Sequence, residues 1–122
     1  MNRTPKGYLV RHLREATVVP CPCGTSRRIF TRNDHPVANL HVTEITDSRK
    51  HWHQNATEIY YILEGQGQME LNDDVIQLEP GLAIRIDPGT AHRVKGNIKT
   101  LIVVIPAAEH GDEFFCDSSA LP

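Results

Sequence analysis

His51-Trp-His53 sets two imidazoles two residues apart. In an extended strand successive side chains alternate, so both project from one face and can reach a single ion. Glu58 follows after Gln54-Asn-Ala-Thr57, a stretch able to turn the chain, and opens the run Glu58–Leu63, from which a carboxylate oxygen can point back to the same ion. His92 comes after Asp87-Pro-Gly-Thr-Ala91, a turn that delivers a third imidazole from a strand distant in sequence. Three histidines and one carboxylate leave one or two positions of a five- or six-coordinate metal open, and open positions are what a substrate or dioxygen needs. With seven histidines and eight glycines in 122 residues, the pattern H-x-H-x4-E-x6-G arises by chance with a probability of about 0.0015. The expectation is one divalent transition metal held by His51, His53, Glu58 and His92. Its identity stays open among iron, manganese, nickel, zinc, cobalt and copper, since imidazole and carboxylate serve them all.

Short strands must position these groups, because no segment reads as a long amphipathic helix. Eight glycines and eight prolines punctuate the chain. Between them lie β-branched or alternating runs at Tyr8–His12, Ser26–Thr31, Ala38–Thr46, Lys50–Gln54, Glu58–Glu64, Gln68–Leu71, Val75–Leu78, Leu82–Ile86, His92–Lys95 and Ile98–Ile105. Many short strands at this spacing predict an antiparallel, all-β sandwich or barrel. Gly65 is expected to end its strand where the chain turns, Gly96-Asn97 to form a turn, and Asn72-Asp73-Asp74 to form a hairpin tip. Residues 14–25 read as a Pro/Cys-rich loop. Phe114-Phe115 is expected to dock on its own domain or on a neighbouring subunit rather than stand in water.

The bulk properties narrow the partners. The chain is expected to form one domain over 1–122, with a core over about 26–106, an arm over 1–25 and a tail over 107–122. A net charge of −2 with no basic stripe argues against nucleic acid. The longest apolar run, Leu101–Ile105, is far too short to span a bilayer. No apolar stretch follows the N-terminal positive charges, so no secretory signal is read and a cytoplasmic location is expected. Cys21, Cys23 and Cys116 suit reduced thiols better than a disulfide framework.

The stretches His51–Gly65 and Gly81–Gly96 resemble the two conserved motifs of the cupin superfamily. The first match is complete. In the second, Gly81, Gly89 and His92 fall where the family has them, Asp87 stands where a proline is common, and Gly96 takes the place of a frequent asparagine. These departures touch turn geometry rather than ligands. The 15-residue spacer Gln66–Pro80 is typical of small microbial members. The resemblance implies a double-stranded β-helix, or jelly-roll barrel, with a metal at its mouth, the four matching residues as ligands, and a homodimer. It does not imply a reaction, because one fold hosts many.

Several other residues are candidates for the surroundings of the ion. Tyr60 and Ile62 share the parity of Glu58 and should face the same interior. Tyr60 is the candidate catalytic group, able to act as an acid or to orient a substrate oxygen. On Ala38–Thr46, His41 faces outward if the apolar residues of that run face the barrel, and otherwise lies near the site. Arg27, Arg28, Arg85 and Arg93 could bind a carboxylate or phosphate. His12, His35 and His110 fit no ligand spacing. Two function classes remain: a small-molecule metalloenzyme of dioxygenase, isomerase or decarboxylase type, and a non-catalytic module that binds or senses a small ligand.

Overall fold

A computed structural model describes residues 7–21 and 24–116. Cys23 and the two ends of the chain lie outside the described residues. A single 3-10 turn, Leu13–Glu15, precedes nine strands: β1 Thr17–Cys21, β2 Gly24–Phe30, β3 Asn39–Asp47, β4 His51–Trp52, β5 Thr57–Leu71, β6 Asp74–Leu78, β7 Ala83–Ile86, β8 His92–Ile105 and β9 Phe114–Phe115. All pairings are antiparallel, in the order β1-β2-β3-β8-β4-β9, with β5 joining β8, β6 and β7. This is the all-β jelly-roll architecture. No helix among the described residues is long and apolar enough to cross a membrane.

The long ribbon β5·β8 organises the barrel. Thr57–Leu71 runs against Ile105–His92 with one register shift, between Ile62 and Glu64. Sequence punctuation led us to expect breaks at Gly65 and at Gly96-Asn97, but both strands run through them. Gly65 pairs with Ile98 and Gly67 with Gly96. The glycines serve close backbone approach instead of a turn: a Cβ on Gly65 would stand 2.1 Å from the Asn97 carbonyl oxygen, and one on Gly96 would stand 2.6 Å from Gly67 Cα. Both have positive φ, +95° and +133°, which a side chain would make strained.

Strand alternation sets the core. On β5, Glu58, Tyr60 and Ile62 point inward while Ile59, Tyr61 and Leu63 face out. Ile62, Met69, Val94, Ile98, Ile102 and Val104 join Ile84 and Ile86 in the buried cluster. The hairpin tip at Asn72-Asp73 forms as expected: Asn72 takes φ 54°, the left-handed conformation that asparagine tolerates in a two-residue hairpin.

Two readings are corrected near the ends, and a third is met. Tyr8–His12 is not a strand; Arg11 ties this stretch down by donating to the Ile29 carbonyl at 2.6 Å and pairing with Asp34 at 2.9 Å. The expected loop over 14–25 holds β1 and the start of β2. Val18 and Val19 favour a strand, and Pro20 is tolerated because β1 lies at the sheet edge. Phe114-Phe115 docks on its own domain, pairing with β4, with Phe114 stacked on Trp52 at 4.5 Å.

Candidate metal centre

Glu58 and His92 sit at opposite ends of the β5·β8 ribbon: Glu58 pairs with Val104, and His92 with Leu71. On a flat ribbon their rows would lie about 43 Å apart, at roughly 3.3 Å per residue. In the closed barrel, Glu58 Oε1 lies 2.9 Å from His92 Nε2. Curling therefore creates the site. β4 adds His51 directly beside His92, and the chain just after β4 adds His53, whose Nε2 is 3.3 Å from Glu58 Oε1. One ligand-capable atom from each of His51, His53, Glu58 and His92 falls within 4.8 Å of the others.

The ring orientations are set from behind. The Nδ1 of His51 lies 2.8 Å from the Arg49 carbonyl, that of His53 lies 2.6 Å from the Asp112 carbonyl, and that of His92 lies 3.0 Å from the Thr90 carbonyl. A carbonyl only accepts, so each Nδ1 donates, and each neutral ring turns the lone pair of Nε2 into the site. His53 Nε2, Glu58 Oε1 and His92 Nε2 are buried and lack a hydrogen-bond partner of acceptable geometry. Lone pairs facing a carboxylate oxygen at these distances repel unless a proton or a cation lies between them. The donor set fits a divalent transition metal.

In the metal-free chain the electrostatics put a proton on His53, beside Glu58, where a cation would otherwise stand. Burial opposes charge on Glu58, but the close approach of the His53 and His92 rings outweighs it and holds the carboxyl well below its usual range. Burial also opposes the His53 imidazolium, but Glu58 and the Asp112 carbonyl outweigh it and push His53 up to about 9. His51 is lowered by burial and by the neighbouring His92. Tyr60 is buried at 5% exposure, and its phenol is raised by burial and by Glu58. Its ring meets that of His92 edge-on at 6.4 Å.

His51, His53, Glu58 and Tyr60 line a pocket of about 500 Å³, with His92 buried behind them. His41 lines it too, which resolves the orientation of β3: Asn39, His41, Thr43 and Ile45 face the interior. The polar face wins because the barrel wall beside the site is itself polar, with Thr43 donating to Ser26 at 3.2 Å. Arg28 lines the pocket; Arg85 and Arg93 pair with Asp87 and Asp47. His110 reaches the pocket wall without joining the cluster, His12 caps the 3-10 turn, and His35 accepts from the Val37 amide. The residue that sequence reasoning missed is Asp112. Its carboxylate accepts from the amides of Gln54, Asn55 and Ala56 while its carbonyl holds His53. It lies 54 positions beyond Glu58 in an acid-rich tail, and no spacing signal points to it.

The comparisons accord with this geometry. The Cupin domain profile matches residues 24–105. The chain belongs to the cupin family. A protein from Planctomyces limnophilus of known structure is 33% identical, with a TM-score of 0.83 over 88% of this chain and 96% of its own. Pac13, a nucleoside dehydratase of Streptomyces, superposes with a TM-score of 0.78 at 18% identity over 91% of this chain and 96% of its own. Ectoine synthase from P. lautus gives 0.74 at 20% identity over 88% and 89%. Likeness at these two lower identities speaks to fold alone. An uncharacterized protein of Methanocaldococcus jannaschii, MJ1618, is 39% identical over 66 residues, 51% of this chain. The chain spans about half the length of that curated relative.

Proposed function

We propose that this cupin is a metal-dependent enzyme acting on a small organic molecule, with His51, His53, Glu58 and His92 as the ligands of one divalent transition metal. The observation that carries the reading is that the Nε2 atoms of His53 and His92 and the Oε1 of Glu58 face one another, buried and without hydrogen-bond partners, while the Nδ1 atoms of His51, His53 and His92 are all committed to backbone carbonyls. A metal bound there would supply Lewis acidity toward substrate oxygens entering from the pocket. The chain's own residues do the rest. Tyr60, held protonated by its burial, donates a hydrogen bond to a substrate oxygen beside His92 and can deliver that proton to a developing oxyanion. Ile102 and Val104 line the same pocket and exclude water from this wall. Asp112 keeps His53 aimed at the centre.

This arrangement suits lyase- or isomerase-type proton chemistry better than oxygenation, because the wall beside the cluster supplies proton donors. Solved cupins of similar fold named as a nucleoside dehydratase and an oxalate decarboxylase are compatible with that class. The outward residues Ile59, Tyr61, Leu63 and Ile105, each more than a third exposed, support a homodimer built on this face of β5 and β8.

The test is elemental analysis of the purified chain, followed by turnover assays with candidate hydroxy acids, keto acids and sugar derivatives in air and under anaerobic conditions. Stoichiometric metal with oxygen-independent turnover is expected. Oxygen consumption coupled to product would make it a dioxygenase. Tight binding of one compound without turnover would make it a binding module. Failure to take up any of the six candidate metals would overturn the reading.

A further inference from the structure

The barrel wall beside the cluster carries a second set of unmatched groups, and these are donors. Register places Arg28, His41, Ile102 and Tyr60 in one row across four adjacent strands: Arg28 pairs with His41, His41 with Ile102, and Ile102 with Tyr60. All four line the pocket. Among the described residues, the Arg28 guanidinium faces no carboxylate, and its Nε is buried without a hydrogen-bond partner. Only Arg28 and Arg49 of the described arginines line the pocket; Arg14 and Arg27, which also meet no carboxylate among the described residues, do not line it. Arg11, Arg32, Arg85 and Arg93 each meet an aspartate or glutamate, and Arg49 stacks on Phe115 at 3.8 Å.

His41 has a defined tautomer. The Ala108 amide donates to Asn39 Oδ1 at 3.0 Å, which turns the Asn39 NH2 toward His41 Nε2, also at 3.0 Å. That nitrogen must accept, so the neutral ring carries its proton on Nδ1, for which no protein acceptor exists among the described residues. A charged fork and a neutral N–H thus stand side by side on the pocket wall with no protein acceptor for either. At about 4.8 Å per strand, the backbone of β3 lies roughly 10 Å from that of β5, a span that a small molecule of a few carbons can bridge once both side chains reach inward.

We infer that Arg28 and the Nδ1–H of His41 form an oxyanion subsite that anchors the carboxylate of a small organic acid, whose other end reaches the His51/His53/Glu58/His92 cluster. A planar carboxylate matches the guanidinium fork, and charge-assisted pairs of this kind are both strong and directional. The inference deepens the proposed function and rests on it for the position of the reacting end, but the anion anchor stands on separate residues.

Succinate is the probe, with inorganic phosphate as the second arm and dimethyl succinate as the uncharged control, titrated calorimetrically into the intact, metal-loaded 122-residue chain. Arg28→Gln is expected to weaken succinate binding by about 10- to 100-fold with metal content unchanged, and Arg28→Lys to weaken it less. Succinate should also shift the His41 imidazole resonance of the native chain. In His92→Ala, succinate binding that still depends on Arg28 supports the subsite even where metal is lost, so the two readings fail separately. Succinate affinity within twofold of native in Arg28→Gln would overturn the inference. So would equal binding of dimethyl succinate, binding of neither anion, or Arg28-dependent binding of phosphate in place of succinate.

Discussion

Replacing Asp112 with alanine tests how the site is held together. Its carboxylate accepts from the Gln54 amide at 2.8 Å, from Asn55 at 3.2 Å through both oxygens, and from Ala56 at 3.2 Å. These amides belong to the turn between His53 and Glu58. Gln54 and Asn55 are exposed, so water replaces most of what they lose; Ala56 is buried, and its N–H is left without a partner. One net hydrogen bond is worth about 1 kcal/mol and a buried orphan about 1–3 kcal/mol, so Asp112→Ala should cost about 2–4 kcal/mol. For a domain of this size that lowers the urea midpoint by about 1–3 M, read from the fluorescence of Trp52, the lone tryptophan, which stacks on Phe114 in the adjoining strand. The Asp112 carbonyl that accepts from His53 moves with the same loop, so cobalt(II) affinity, measured by chelator competition, should fall about 10- to 100-fold. Asp112→Asn keeps one acceptor oxygen and should lose roughly half the stability. A stability within 0.5 kcal/mol of native (about the scatter of an ordinary surface change) together with unchanged cobalt affinity would refute the argument.

His51→Ala and His92→Ala should each yield a folded barrel with substoichiometric metal by elemental analysis; stoichiometric metal in both would make the ligand set wrong. His41, pushed down to about 4 by burial and by Arg28 against the opposing pull of Glu58, stays neutral in the folded chain while the unfolded chain takes up a proton near 6.5. Its contribution to stability is therefore present above about pH 6.5 and is lost as pH falls toward 4, by on the order of 3 kcal/mol. His41→Gln should flatten that part of the stability–pH curve, and an unchanged curve would count against a buried neutral His41. Gly65→Ala should destabilise by at least about 1–3 kcal/mol through its positive φ and its clash with Asn97, whereas Gly81→Ala, with nothing within 4 Å, should show only the conformational part of that loss in the same urea titration.

The sequence by itself determined what is local. Alternation placed Glu58, Tyr60 and Ile62 on one face, turn chemistry marked Asn72 as a hairpin tip, and the spacing of His51 and His53 put two imidazoles on one side of a short strand. The types of the four clustered side chains, and so the chemistry open to them, were legible before any fold was known. Tertiary structure alone decided how they meet. Glu58 and His92 lie at opposite ends of one ribbon, and only its closure, permitted by Gly65, Gly67 and Gly96, brings them to 2.9 Å. The same closure turned His41 inward, left Arg28 without a counter-charge among the described residues, and brought Asp112 beneath His53. Periodicity and turn preference are properties of neighbouring residues, whereas the partner of a side chain across a closed barrel depends on register and curvature summed over the whole sheet, which no short stretch of sequence encodes.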